Sequence, residues 1–175
     1  MRAPLVDCGA FLAVKLRAKL NLMSGIATKF KTTLKADSLR AAMRWLNDRV
    51  PYRFTAIFAF DGDILRNICL IDKENQNITN CSDQPIMESY CMYVRHSRER
   101  FSVEEASLDS RVAVHPKRQT VQCYYGIPLF GAEGQILGTV CHFDSMPVRV
   151  TEEVATALDD LAPLIVEAAF SESEK

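Results

Sequence analysis

Nowhere does the sequence hold an apolar run long enough to span a membrane. Its six cysteines, at positions 8, 69, 81, 91, 123 and 141, include no Cys-x-x-Cys pair, which excludes the common zinc and dithiol motifs. There is no glycine-rich phosphate loop, no Ser/His/Asp order of the hydrolase kind and no pair of carboxylates in apolar surroundings, so no residue pattern demands an enzyme. Charge of one sign is missing too: 21 Lys/Arg against 22 Asp/Glu leave a net charge of −1. That balance argues against binding nucleic acid through bulk positive charge. A hydrophobic fraction of 48% excludes disorder.

What is present is enough for one domain of 175 residues with a core that needs no staple. The even balance hides an asymmetry, with 11 Lys/Arg against three Asp/Glu up to residue 53 and 10 against 19 afterwards. The apolar N-terminal stretch is interrupted by Asp7 and Lys15 and has no small-residue cleavage site, so it reads as mature sequence rather than a leader. Cys69, Cys91, Cys123 and Cys141 sit inside apolar runs, where a free thiol packs as a small hydrophobe. This favours a reducing, cytoplasmic setting, in which the acceptor sequons at Asn77 and Asn80 have no role.

Apolar residues from Leu16 to Leu34 recur with helical spacing, and a second helix, Ser38–Arg49, is capped by Asp37 and stopped by Pro51. Residues 1–19 are assigned to a partly helical or frayed extension, 20–170 to one domain and 171–175 to a polar tail. The period then shortens to that of strands over Phe54–Phe60 and Ile64–Ile71, joined at Asp61-Gly62-Asp63. A weak strand is predicted over Asn77–Cys81, a short helix over Ile86–Ser97 and a brief strand over Phe101–Val103. Ala106–Pro116 is irregular or a single helical turn. Two strong strands, Gln122–Phe130 and Gln135–Phe143, form a hairpin across Gly131–Gly134. Thr151 then caps a long helix to Phe170, which Pro163 should kink or shorten.

The strands are apolar on both faces, so both faces of the sheet must be covered. The basic first helices and the acidic last helix suit one face. The other is left to the loop-rich segment 85–120, and a loop-rich lid over a sheet is where a small-molecule pocket forms.

Several short motifs follow one another in order: Ser89-Tyr-Cys-Met-Tyr-Val94, Phe101-Ser-Val-Glu-Glu-Ala106, Asp109-Ser-Arg111, His115-Pro116, Tyr124-Tyr-Gly-Ile-Pro-Leu129 and Gly138-Thr-Val-Cys-His-Phe-Asp144. The series resembles the bacterial GAF sensor domain over about residues 20–170. The resemblance implies an α+β, GAF/PAS-like fold: an antiparallel sheet of five or six strands, terminal helices on one face, and a lid of loops and a short helix over a pocket on the other. Departures are Glu105 where Asp is common, a short basic spacer at Lys117 and Arg118, and Pro163 in the last helix.

The function implied is a non-catalytic sensory module that binds a small molecule, with no metal or cofactor. Homodimerisation through the terminal helices and a separate signalling partner are further expectations, without nucleic acid or membrane. No output domain is recognised within these 175 residues, so a free-standing protein or one acting on separate partners is expected. The residues assigned to the pocket are Ser89, Cys91, Asp109, Arg111, Tyr125, Thr139 and Cys141. Thr139 and Cys141 share a face by alternation. Arg111 either contacts an anionic ligand or pairs with a neighbouring acid while Asp109 caps a turn. Cys91 is a structural thiol or a reactive one. A bilin is disfavoured because Met92, not His, follows it. The histidines at 96, 115 and 142 lack ligand spacing. The alternative function, suggested by free-standing GAF enzymes, is reduction of free methionine sulfoxide by Cys91 with Cys123 as resolving thiol.

Overall fold

The computed structural model describes residues 25–149 and 151–171. The extension assigned to 1–19, the start of the first helix and the tail beyond residue 171 lie outside the described residues. Helix α1 covers 25–36 and α2 covers Leu39–Asn47. Six antiparallel strands follow: β1 (Phe54–Asp61), β2 (Ile64–Asp72), β3 (Gln84–Pro85), β4 (Phe101–Val103), β5 (Cys123–Phe130) and β6 (Ile136–Asp144). Helix α3 (Cys91–Ser97) precedes β4, and α4 (Glu152–Phe170) closes the chain. The sheet order is β3-β2-β1-β6-β5-β4.

Most of the element pattern matches the periodicities, and the differences have local causes. Ser38, not Asp37, caps α2, because its extended backbone lets the side chain accept from the Ala41 amide. No strand forms over Asn77–Cys81. Side chains take the place of a ladder there: Arg40 donates to the carbonyls of Leu70 and Thr79, and Asn67 accepts from the Cys81 amide. The loop thereby covers the outer edge of β2, while Gln84–Pro85 pairs with Ile64 and Leu65. The helix predicted over Ile86–Ser97 breaks at Ser89, which is extended between a 3-10 turn (Ile86–Glu88) and α3. Pro163 does not end α4, which continues to Phe170.

The sheet is covered on both sides, as its composition requires. On one face α1, α2 and α4 enclose Ile57, Ile71, Ile127, Leu129 and Val140. Leu158, Leu161 and Ile165 of α4 are wholly buried there, each contributing about 1.5–3 kcal/mol of apolar transfer. On the other face α3 and the 104–121 segment cover Ala56, Phe58, Leu70, Tyr124 and Cys141. Gly138 allows the central strands to meet, since a Cβ there would strike the Phe58 carbonyl. At one end of the sheet, Arg53 clamps Asp72 with two hydrogen bonds of 2.9 Å, and its amide donates to Asp144. The Arg53 guanidinium beside Asp72 holds that carboxyl below its usual range.

A polar group interrupts the helix-side core. Asn47 Nδ2 donates to Thr55 Oγ1 at 2.7 Å, and the same oxygen shares a hydrogen bond of 2.8 Å with His142 Nδ1. His142 Nε2 has no hydrogen-bond partner among the described residues. Burial drives its pKa down to about 3. Below an unfolded pKa of about 6.5 the unfolded chain takes up a proton that the folded chain refuses. The neutral ring's contribution is complete above pH ~6.5 and falls as the pH drops, with a loss on the order of 4 kcal/mol by pH ~3. Chemical denaturation from pH 7 to 3 should show this fall, and His142→Gln should flatten it although carboxylate titration remains.

Candidate functional site

On the lid side of the sheet lies a cavity of about 190 Å³. Its floor is Phe58, Tyr124, Cys141 and Phe143, one face of β1, β5 and β6. Ser89, Tyr90 and Cys91 close one side, where the break before α3 turns the chain inward. Lys117, Thr120 and Val121, from the 3-10 turn Pro116–Gln119 and its exit, close another. Cys81 and Gln84 complete the rim.

The lid is held by ring packing rather than by regular structure. Tyr90 lies 4.5 Å from the His115 ring and 5.8 Å from Tyr124, the latter edge-on, and its hydroxyl donates to the Val121 carbonyl. His115 Nδ1 accepts from the Lys117 amide, which starts the turn that carries Lys117 to the rim, and burial lowers its pKa. Tyr93 donates to the Arg111 carbonyl and stacks on Phe101.

Of the seven residues assigned from sequence, Ser89, Cys91 and Cys141 line this cavity. Thr139 lies on the same face of β6 but is sealed in the sheet, donating to the Ile127 carbonyl at 2.9 Å. Tyr125 is a correction: it packs in the helix-side core, because strand alternation gives the cavity to Tyr124. Asp109 and Arg111 are a second correction. Asp109 caps the turn Ser110–Val112 and pairs with Arg111 at 2.6 Å, while the guanidinium also donates to the Ser102 carbonyl and lies over the Phe101 ring. Its Nε and Nη2 donors are thus engaged within the lid. Cys123 is a third: it lies in the helix-side core, across the sheet from Cys91, with burial pushing its thiol up to about 12. Among the described residues no three His, Cys, Asp or Glu side chains are grouped to hold a metal.

The sequence reading missed Tyr124, Lys117 and Cys81. The hairpin carried the signal for Tyr124, since its register pairs Tyr124 with Phe143 and Gly126 with Cys141. Gly126 is required there, because a Cβ would collide with the Tyr124 hydroxyl lying over it. That hydroxyl donates to Cys91 Sγ at 3.5 Å. Burial raises the Cys91 thiol, but hydrogen bonds from Cys141, Ser89 and Tyr124 outweigh it and leave its pKa low. Burial pushes Cys141 well up, and its bond to Cys91 adds to the effect. The site therefore combines apolar walls, one thiol whose pKa its neighbours lower and one lysine in the lining. Tyr124→Phe should raise the Cys91 pKa, from the loss of a hydrogen bond to the sulfur. Thiolate ultraviolet absorbance against pH measures this.

No protein-family model matches the chain, and no curated protein sequence does. Solved structures do match in fold. The GAF domain of a phosphoenolpyruvate-protein phosphotransferase from Acinetobacter superposes with a TM-score of 0.68 at 14% identity, over 89% of this chain and 95% of that one. Free methionine-R-sulfoxide reductase from Neisseria meningitidis, solved with its substrate, gives 0.67 at 13% identity, over 89% and 93%. The phycocyanobilin-bound GAF domain of a cyanobacterial phytochrome gives 0.64 at 13%, over 86% and 97%. These superpositions cover most of the chain, six-stranded sheet and helices together, and the chain is folded as a GAF domain.

Proposed function

We propose that the chain is a sensory module that binds a small anionic molecule in the lid-side cavity without transforming it. The observation that carries this reading is the cavity itself, with apolar walls and the Lys117 ammonium at its edge. Lys117 forms no ion pair with any described residue, so its charge is available to a ligand. At about 190 Å³ the space is somewhat larger than a cavity of ~150 Å³ that holds benzene. It suits a molecule of roughly six to ten non-hydrogen atoms, such as a small carboxylate with an apolar or sulfur-containing body. A bilin does not fit that volume.

Binding would tie the lid to β5 and β6, whose other face contacts α4, and the terminal helices are the natural surface for a second copy of the chain or a signalling partner. None of the described helices is long and apolar enough to cross a membrane. Placement in a reducing compartment remains part of the proposal and rests on the free thiols at 69, 81, 91, 123 and 141.

One observation favours a second reading, reduction of a sulfoxide: Cys81, Cys91 and Cys141 all line the cavity. Cys123 cannot resolve an intermediate on Cys91 from across the sheet, so such a reaction would use Cys81 or Cys141. The sulfoxide oxygen would leave as water while two thiols become a disulfide. Free methionine sulfoxide in excess separates the two readings, since two thiols are lost in the second and none in the first.

A thermal-shift series with small amino acids and keto acids tests the binding reading. A ligand at a hundred times its Kd adds about 2.7 kcal/mol, or several degrees in Tm. The stabilisation should be lost in Lys117→Ala at the same concentration and kept in Arg111→Ala. Absence of a shift with every acid, or equal loss in both variants, contradicts it.

A further inference from the structure

Cys91 and Cys141 come from distant parts of the sequence and are each 1% exposed, yet both line the one cavity. Three geometric facts place both side chains beside the Tyr124 hydroxyl. Cys141 faces Gly126 across the β5–β6 ladder. The Tyr124 hydroxyl lies over Gly126, in the space a side chain there would occupy. The same hydroxyl touches Cys91 Sγ at 3.5 Å. Cys141 also acts on the Cys91 thiol, which it helps to hold below its ordinary pKa. Cys69 and Cys123 belong to the opposite core, while Cys81 shares the cavity but makes no hydrogen bond to Cys91.

We infer that Cys91 and Cys141 are an oxidation site: a small hydroperoxide entering the cavity reacts with Cys91, and Cys141 then closes a disulfide that ties α3 to β6. Neither the presence of a carboxylate ligand nor sulfoxide reduction is needed for this, because the inference concerns the thiols alone. In the first step the Cys91 thiolate attacks the terminal peroxide oxygen. A sulfur–oxygen bond forms, the oxygen–oxygen bond breaks, and the alkoxide or hydroxide leaves with a proton as alcohol or water. Cys91 is then a sulfenic acid. In the second step the Cys141 sulfur attacks Cys91 sulfur, the sulfur–oxygen bond breaks, and hydroxide takes the Cys141 proton to leave as water. Two thiols lose two electrons, and one peroxide is reduced to alcohol and water.

The roles divide by environment. The donors around Cys91 stabilise its thiolate, the nucleophilic form, whereas Cys141 is held protonated as their neighbour. The cavity limits the oxidant to something small, so hydrogen peroxide should react faster than a bulky cumyl hydroperoxide. A small thiol in excess would restore both side chains.

The test uses the full reduced chain, treated with hydrogen peroxide, then unfolded in denaturant, alkylated with iodoacetamide and mapped by mass spectrometry. The expected result is loss of two of the six alkylation sites and a single linked peptide pair joining Cys91 to Cys141. Cys91→Ser should leave the remaining five thiols alkylated. Cys141→Ser should stop at the sulfenic acid, captured on Cys91 by dimedone. Wild-type mapping decides the matter even where a variant folds poorly. A bond from Cys91 to Cys81, oxidation of Cys69 or Cys123 ahead of Cys91, or Cys91 still alkylated after peroxide treatment would overturn the inference.

Discussion

The register of the β5–β6 hairpin governs what the rest of the molecule can do. Both strands are buried on both faces, so a two-residue period sends each side chain either to the helix core or to the lid core. With Gly126 opposite Cys141 and Tyr124 opposite Phe143, the thiol and the phenol fall together on the lid face. Tyr125, Ile127 and His142 fall on the helix face. A slip of one residue would exchange the two sets and place a polar network where the cavity lies. Gly138 fixes the adjoining pair in the same way, since only hydrogen fits against the Phe58 carbonyl.

The two faces are built differently. On the helix face, large apolar side chains interlock with α2 and α4, and a few buried polar atoms, among them His142 Nε2, are tolerated without partners. Such a face is stiff and costly to alter. On the lid face, short 3-10 turns and stacked rings replace long helices, and charged groups such as Arg111 and Arg118 are spent on backbone carbonyls that the irregular chain leaves open. Turns and side-chain contacts, rather than long helices, hold that segment in place.

The fold was largely legible because alternation and helical spacing are properties of the chain itself. Strands 54–61, 64–72, 123–130 and 136–144 stand almost where their patterns put them. The failures came where side chains substitute for backbone pairing. Asn67 and Arg40 satisfy the loop predicted as a strand at 77–81, and Ser89 breaks a helix by binding the amide two residues on. For the site, residue type alone misled. Arg111 resembles an anion contact until Asp109, Ser102 and Phe101 are seen to use it. Choosing Tyr124 over Tyr125 required a register that hydropathy does not specify when both faces are apolar. Lys117 gave no pattern at all, because its position depends on the His115 cap of a single turn.

The division between an open lid face and a closed helix face is the claim on which the functional reading stands. It is tested most directly by the rate at which iodoacetamide modifies each cysteine of the folded, reduced chain. Cys81 and Cys91 should react first, through the cavity, and more slowly when a stabilising carboxylate is present. Cys69 and Cys123 should wait for unfolding. Equal rates for Cys91 and Cys123, or protection of Cys91 until the chain unfolds, would contradict the account.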